Sequence, residues 1–253
     1  MQIIKWRLLL IRQWQENRKT YLAAAATLAG ILSISFLLTW HWRTSFSGGV
    51  HKGIFLLGLF GGGSLFVAQV FRDLSNKTRG IWLLCLPASA GEKLATAVII
   101  GIVSYLLLYI GIFYGVEACF LWLVNDAHTH MQHTDLFENG FYQFVFGYIN
   151  IQLLIVLGSI AFNRLAFLKT LLLLIIGIPV FLNGNNYILA WLTGIPEIVS
   201  SVPFDTFQFE YKGEYVYVYL PKGAQTFTSI VLRYCLPLAL YAAGWYKLQE
   251  KEL

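Results

Sequence analysis

The stretch LATAVIIGIVSYLLLYIGIFYGVEACFLWLV, residues Leu94–Val124, has 31 residues and one charged side chain, Glu117. A helix that crosses a bilayer needs about 20 mainly apolar residues. At 1.5 Å per residue, this run would form a helix roughly 46 Å long. We therefore predict that it crosses a membrane and that its length makes it tilt, kink or project beyond the bilayer.

Apolar runs on both sides of this stretch bring the predicted number of spans to six. The chain has 253 residues, of which 57% are hydrophobic and 12% charged, and its mean hydropathy is +0.63. An average globular domain is about a quarter charged, so this composition argues against a disordered chain and an ordinary soluble domain. The expected fold is an all-α polytopic membrane protein with one transmembrane domain, residues 1–253. The other five runs are Tyr21–Trp40, Gly53–Phe71, Phe144–Phe162, Leu165–Leu182 (with a possible extension to Leu192) and Ser229–Tyr246.

The fifth run is followed by polar and flexible residues, Asn183-Gly184-Asn185-Asn186. They predict a break in the helix, after which Tyr187–Leu192 would return as a short re-entrant segment. Broken backbone at membrane depth is tolerated only against protein or a water-filled cavity. Asn183, Asn185 and Asn186 are therefore candidate residues of a transport path.

Basic residues are divided unequally between the two sides of the predicted spans. If the N-terminus is cytoplasmic, 13 of the 18 lysine and arginine residues lie inside and 5 outside. The positive-inside rule then places both termini in the cytoplasm. The pI near 9.0 does not indicate nucleic-acid binding, because the basic residues border apolar runs and form no patch with exposed aromatic side chains.

The N-terminal segment, residues 1–19, has a moderately amphipathic pattern. Ile3, Trp6, Leu10 and Trp14 recur at helical spacing. The pattern predicts an interfacial helix along the inner leaflet, anchored by tryptophan and basic groups. The alternative is a plain extension of the first span.

Residues 196–227, on the predicted outer side, read as a β-hairpin. Alternating polar and aromatic residues precede Lys212-Gly213, and alternating tyrosine and aliphatic residues follow it. This pattern is typical of two strands joined by a tight turn. A single hairpin is marginally stable, so we expect it to lie on the helix ends or on a partner.

The predicted inner loop, residues 72–93, reads RDLSNKTRGIWLLCLPASAGEK. Pro87 interrupts it, and Ser89 and Glu92 then have the S-x-x-E spacing of a capping box. The box predicts that the helix of the third span begins below the membrane plane. A well-capped helix would explain the pattern fully. The functional interpretation adds that the segment projects to where a cytoplasmic partner could push on it.

Several other residues are candidates for function. Glu117 is a carboxylate within the third span, and a charged group inside a membrane is costly and usually functional. The alternative is that the overlong span places Glu117 at the membrane interface. The outer histidines His128, His130 and His133 lie near acidic residues and are weak candidates for a transition metal, with a solvated loop as the alternative. Gly58 and Gly62 have the GxxxG spacing of closely packed helices, as do Gly111 and Gly115 in the third span.

The sequence contains none of the common catalytic signatures. It has no G-x-x-x-x-G-K-[ST] phosphate loop, no H-E-x-x-H and no G-x-S-x-G. We therefore expect a protein that is not an enzyme and does not itself hold ATP in such a loop.

Three segments resemble the permease subunits of type 2 ABC transporters. GIWLLCLPASAGEKL, residues 80–94, is similar to the "LLLP-S--EK" stretch that leads into the third span of many bacterial members. RLAFLKTLL, residues 164–172, resembles the segment that opens the fifth span, and WYKLQEKEL, residues 245–253, resembles the family's terminus. The order of an elbow helix, six spans and two inner termini also matches the order in that family. The outer hairpin differs from the lipid and polysaccharide exporters of the family.

The resemblance implies a half-transporter in a bacterial inner membrane, and the expected direction of transport is export. Two permease copies, identical or related, would enclose a path through the membrane lipid, and separate ATP-binding subunits would drive it. The permease would bind no cofactor, since ATP belongs to the partner subunit. The residues expected to contact that subunit are Asp73, Lys77, Arg79, Pro87, Ser89, Glu92 and Lys93.

Two other classes of protein remain open from the residues alone. An ion-coupled secondary transporter would use a buried acid, for which Glu117 is the candidate. A membrane-embedded enzyme would need paired polar residues at membrane depth, and Asn183–Asn186 come nearest to that.

Overall fold

The computed structural model describes residues 2–41, 48–75, 89–124, 143–162, 165–195, 198–202, 206–211, 214–219 and 221–252. Six helices are long and apolar enough to cross a membrane. We name them spans 1 to 6 in chain order. They are Arg18–Trp40, Val50–Phe71, Ala90–Leu123, Gln143–Ala161, Ala166–Thr193 and Lys222–Lys251.

Three of the six spans change from α-helical to π-helical hydrogen bonding over one short segment. Span 2 comprises the α-helices Gly48–Leu57 and Gly63–Ser75 around the π-helical Gly58–Gly62. Span 3 comprises Ala90–Val98 and Tyr105–Val124 around Ile99–Ser104. Span 6 comprises Lys222–Ile230 and Leu236–Glu252 around Val231–Cys235.

Spans 3 and 4 hold the largest share of buried side chains. Span 4 packs against spans 2, 5 and 6, and span 3 packs against spans 1, 2 and 6. The core between them is rich in aromatic rings. Phenylalanine and tyrosine both bury a large apolar area, and tyrosine also has a hydroxyl that can donate a hydrogen bond to the backbone. Its fully buried aromatic side chains include Phe36, Phe55, Phe71, Tyr105, Tyr109, Phe113 and Tyr148.

Glycine allows span 3 to approach span 2 closely. A methyl group at Gly58 would collide with the Tyr109 hydroxyl, and one at Gly62 would collide with the Tyr105 hydroxyl. The predicted packing role of this GxxxG pair is therefore confirmed within the chain. Gly111 and the glycine four residues later, in contrast, have open space where a side chain would stand.

The helix at the N-terminus runs without interruption from Gln2 to His41. A separate interfacial helix over residues 1–19 is therefore not confirmed, and the continuous helix favours the alternative of an extension of span 1. Residues 2–29 contain neither glycine nor proline, so nothing in the local sequence ends the helix before span 1 begins.

Span 5 is also continuous, so the predicted break at Asn183–Asn186 and the re-entrant segment are wrong. The Asn183 side chain donates a hydrogen bond to the Pro179 carbonyl of the same helix at 2.8 Å. Its polar group is therefore satisfied without a break in the helix. The helix ends at Gly194, which has φ 71° and donates its N–H to the Ala190 carbonyl. Glycine is favoured there because the left-handed conformation costs it little.

The predicted hairpin is confirmed as strands β2, Thr206–Tyr211, and β3, Glu214–Tyr219. A third strand, β1, Val199–Val202, pairs antiparallel with β2 and completes the order β1-β2-β3. The Asn186 side chain accepts a hydrogen bond from Ser200 N at 3.0 Å, which attaches β1 to span 5. We call this end of the bundle the sheet end, and the opposite end, which carries Ser89, the capped end.

Candidate functional site

The capped end of span 3 has the predicted capping box. Ser89 N donates to the Glu92 carboxylate at 2.9 Å, and Glu92 N donates to Ser89 Oγ at 3.3 Å. These two bonds satisfy two backbone N–H groups that the first turn of a helix otherwise leaves unpaired. Ser89 is exposed, so the turn is open to contact from outside the bundle.

The capped turn is joined to the last span of the chain. The Tyr241 hydroxyl donates to the Gly91 carbonyl at 3.4 Å, and the Trp245 indole stands beside Gly91. Leu94 and Leu248 are buried in the same core. A displacement of the capped turn would therefore move spans 3 and 6 together.

The other predicted ATPase contacts are placed only in part. Lys93 is 8% exposed, so in this conformation it offers little surface to a partner. Asp73 belongs to the helix Gly63–Ser75, but its side chain is outside the described part. Lys77, Arg79 and Pro87 lie outside the described residues.

The π-helical segments are the points at which neighbouring spans bond to helix backbone. A π turn interrupts the regular i to i−4 ladder, and such interruptions often occur at functional positions. In each of the three segments, one carbonyl accepts a hydrogen bond from a side chain of another span. The bonds run from Tyr105 to Gly58 O at 2.9 Å, from Tyr148 to Ile102 O at 3.4 Å, and from Asn150 to Leu232 O at 2.8 Å.

Together these bonds link spans 2, 3, 4 and 6 through the bundle. A side chain of span 3 reaches span 2, and side chains of span 4 reach spans 3 and 6. Interhelical hydrogen bonds inside membranes contribute about 0.6 kcal/mol on average, up to about 2 kcal/mol. Each of the three bonds therefore contributes modestly to the packing of the spans.

A groove of about 1130 Å³ lies between spans 1, 2 and 5. Its walls are mainly apolar and include Leu28 of span 1 and Leu171 of span 5, while Tyr105 and Ser64 contribute polar atoms. A second cavity of about 240 Å³ lies between spans 1, 2 and 3. Span 1 therefore has open space on both sides in its capped half.

The sheet end of spans 2 and 3 contains a buried acid–base pair. His51 Nδ1 lies 3.2 Å from Glu117 Oε1, and the exposed fractions of the two side chains are 4% and 0%. Glu117 is therefore buried inside the bundle and paired with a side chain of span 2. The sequence analysis did not single out His51.

The Phe36 ring of span 1 closes the pair on one side. It meets the imidazole of His51 edge to face, with the ring centroids 5.2 Å apart. Phe36 also packs on Phe120 and Phe113 of span 3, with centroid distances of 5.4 and 5.9 Å. The acid–base pair is thus enclosed where spans 1, 2 and 3 meet.

The three asparagines of span 5 have different surroundings. Asn183 is exposed and bonded to its own helix, and Asn186 holds β1. Asn185 is 8% exposed, and its Nδ2 has no hydrogen-bond partner within the described part of the chain. The histidines His128, His130 and His133 lie outside the described residues.

Sequence reasoning identified Glu117 but missed its partner. The available signal was the cost of a carboxylate at membrane depth, which requires a group that can neutralise it. Apart from the glycines of span 2, nothing in the sequence indicated the π-helical segments or the carbonyls in them that accept side-chain hydrogen bonds. No family model, curated protein or solved structure matches the chain.

Proposed function

We propose that this protein is the permease subunit of an ATP-driven ABC transporter in a bacterial inner membrane. The observation that carries the proposal is the exposed, capped first turn of span 3 in a six-span bundle, on the side that the basic residues predict to be cytoplasmic. Nothing in this role requires catalytic residues in the chain, because a separate subunit hydrolyses ATP.

The hydrogen bonds between spans support a path for mechanical coupling. An ATPase subunit that pushes on Ser89 and Glu92 would displace span 3 and, through Tyr241 and Gly91, span 6. The Tyr105 bond would carry the movement to span 2. Span 2 lines the groove, so its displacement would change the space between spans 1, 2 and 5.

The large groove is the part of the described chain with room for a substrate. Its volume of about 1130 Å³ exceeds the range of about 300–1,000 Å³ typical of small-molecule sites. A second permease copy would be expected to close its open side. Export is the proposed direction, and both termini are proposed to be cytoplasmic.

The test combines Ser89→Ala with Glu92→Ala. Loss of a helix cap costs about 0.5–2 kcal/mol, which should fray the first turn and leave the membrane-length part of span 3 intact. We expect normal insertion and expression, weaker recovery of the ATPase subunit, or ATP hydrolysis that no longer drives transport. Ser104→Ala is the matched control, because Ser104 bonds to Ile99 O in the same span but is away from its capped turn.

If the double variant behaves like the wild type while an ATPase subunit is recovered with both, the contact is elsewhere in the chain. If Ser104→Ala impairs coupling equally, the defect is a general weakening of span 3. Either result would refute the assignment of Ser89 and Glu92 to the contact.

One observation favours a second candidate, an ion-coupled secondary transporter. Glu117 and His51 form a buried pair of ionisable side chains between spans 2 and 3, and acids and histidines inside spans form the proton relays of transporters. Such a protein would transport in vesicles that contain an ion gradient and no ATP. The ABC proposal expects no transport under those conditions.

A further inference from the structure

The sheet has two edge strands that differ in how they are protected. β1 and β3 lie at the two edges of the order β1-β2-β3. β1 has four residues, its register with β2 shifts between Val199 and Val202, and Ser200 N attaches it to span 5. β3 has six residues, and its register with β2 is unbroken from Glu214 to Tyr219. Shortness, irregularity and attachment protect an edge from pairing with another chain, and β3 shares none of these features with β1 in the described part of the chain.

The free edge of β3 offers backbone hydrogen-bonding groups to another strand. Among the described residues, β3 pairs with β2 alone. An edge strand leaves a row of unpaired N–H and C=O groups, which is a template for pairing with another chain. The sequence of β3, EYVYVY, contains neither the proline nor the lysine that would block such pairing, and tyrosine and valine both favour strands. β3 is therefore suited to the addition of one more strand.

The side chains of β3 alternate between two faces of different character. Tyr215, Tyr217 and Tyr219 share one face and are 67%, 61% and 71% exposed. Val216 and Val218 lie on the other face, where they are opposite Phe209 and Phe207 of β2. A strand that continues both faces has the same alternation of aromatic and aliphatic side chains.

The β3 strand of a second copy has this alternation. The sequence from Tyr215 to Tyr219, YVYVY, reads the same in both directions. In an antiparallel pair centred on Tyr217, each tyrosine therefore opposes a tyrosine of the partner and each valine opposes a valine. Directly opposite side chains lie on the same face, where aromatic pairs stabilise a sheet. The contact is isologous, since each copy contributes the same strand, as in a two-fold dimer.

The charges at the ends of β3 agree with this register. Glu214, its first residue, is the charged residue of the strand. Pairing centred on Tyr217 places Glu214 of the two copies at opposite ends, so the like charges do not meet. At each end, Glu214 of one copy lies where the partner's chain continues towards Lys222. The register therefore separates like charges and brings opposite charges towards each other, which is the favourable arrangement across a strand pair.

We propose that two copies of this chain join by antiparallel pairing of their β3 strands, centred on Tyr217, so that the two sheets become one. The inference rests on the proposed function, which requires two permease copies, and it specifies that the two are identical. A stable interface buries about 1,200–2,000 Å² in total, which is more than one pair of short strands provides. The spans therefore supply the remaining contact area, and β3 fixes which chains join and in what register.

Cysteine cross-linking in native membranes tests the pairing. The background would carry serine in place of Cys85, Cys119 and Cys235. Tyr217→Cys should form a disulfide-linked dimer on mild oxidation by copper phenanthroline, because Cα atoms that oppose each other across an antiparallel pair are about 4.5–5.5 Å apart. Val199→Cys, exposed on β1, is the matched control at the other edge of the sheet and should give no dimer.

Two further positions test the register and the direction of the strands. Tyr215→Cys alone and Tyr219→Cys alone should give no dimer, because each position is four residues from its own copy along the pair, or about 14 Å, and a disulfide spans no more than about 7 Å. Chains with Tyr215→Cys mixed with chains with Tyr219→Cys should cross-link, because these two positions oppose each other. A parallel pair in register would instead cross-link each variant with itself.

A charge exchange at Tyr217 separates pairing from folding. If both chains of that mixture also carry Tyr217→Lys, the cross-link should be lost, because like charges directly opposite each other destabilise a sheet. Tyr217→Lys in one chain and Tyr217→Glu in the other should restore it. A sheet that had only unfolded would not recover in the second mixture.

Three outcomes would overturn the pairing of β3: no dimer with Tyr217→Cys, an equal dimer with Val199→Cys, or a cross-link to a different protein. The measurement requires neither an ATPase nor transport, so it is separate from the test of the proposed function. Recovery of an ATPase without the Tyr217→Cys dimer would refute the pairing and leave the proposed function standing. The full cross-linking pattern without an ATPase would support the pairing and refute the proposed function.

Discussion

Replacing either His51 or Glu117 by leucine should destabilise the protein more than replacing both. The two side chains meet at 3.2 Å, and their exposed fractions are 4% and 0%. A buried polar group that loses a hydrogen bond keeps the cost of its removal from water, which is about 1–3 kcal/mol. Each single leucine variant should therefore cost about 1–3 kcal/mol.

Replacing both residues should cost little, because well-packed apolar residues can substitute for a buried ion pair. The sum of the two single costs should then exceed the cost of the double variant by about 2 kcal/mol or more.

The assay is reversible unfolding by sodium dodecyl sulfate in mixed micelles, monitored by circular dichroism. Tyr109→Phe, the matched control, removes another hydrogen bond between the same two spans and should cost about 1 kcal/mol. Additive costs of His51→Leu and Glu117→Leu in the double variant would refute the coupling between the two side chains.

Three further predictions follow from individual contacts. Gly58→Ala should destabilise the protein by about 1–3 kcal/mol in the same assay, because the added methyl group would collide with the Tyr109 hydroxyl. Gly61→Ala, where a side chain has open space, should be neutral or slightly stabilising. Equal effects of the two substitutions would contradict the packing argument. Asn186→Ala should destabilise the attachment of the sheet to span 5 by about 1–2 kcal/mol and raise the rate of hydrogen exchange at Ser200 N. Asn183→Ala should leave that exchange rate unchanged, because Asn183 bonds within its own helix. An unchanged rate in Asn186→Ala would show that this hydrogen bond does not attach β1 to span 5. Cysteines introduced at His130 and Gly213 should react with an impermeant thiol reagent in intact cells. A cysteine introduced at Ser75 should not react, because Ser75 is predicted to be cytoplasmic. Labelling at Ser75 would show that the predicted orientation is reversed.

The parts of the fold that depend on local sequence were predictable. Six long apolar runs predict six spans, since the length requirement is set by the bilayer. The S-x-x-E spacing at Ser89 and Glu92 predicts its own hydrogen bonds, which the structure contains. The alternation around Lys212-Gly213 likewise predicts β2 and β3, whose partners are near in sequence.

The features that depend on which spans meet could not be predicted in the same way. His51 and Glu117 are 66 residues apart, and their pairing requires the packing of span 2 on span 3. Asn183–Asn186 have the composition of a helix break. The helix nevertheless continues to Thr193, with the Asn183 side chain bonded to Pro179 O and the Asn186 side chain bonded to Ser200 N. Lys93 belongs to a motif that suggests exposure, yet packing of the spans buries it.

The most direct test of the proposed function is recovery of an ATP-binding subunit with the wild-type chain. The chain would be tagged, expressed in its native host and purified in mild detergent, and co-purifying proteins would be identified by mass spectrometry. The account predicts an ABC-type ATPase, and ATP-dependent transport when the complex is reconstituted. Transport driven by an ion gradient alone, with no ATPase recovered, would contradict it.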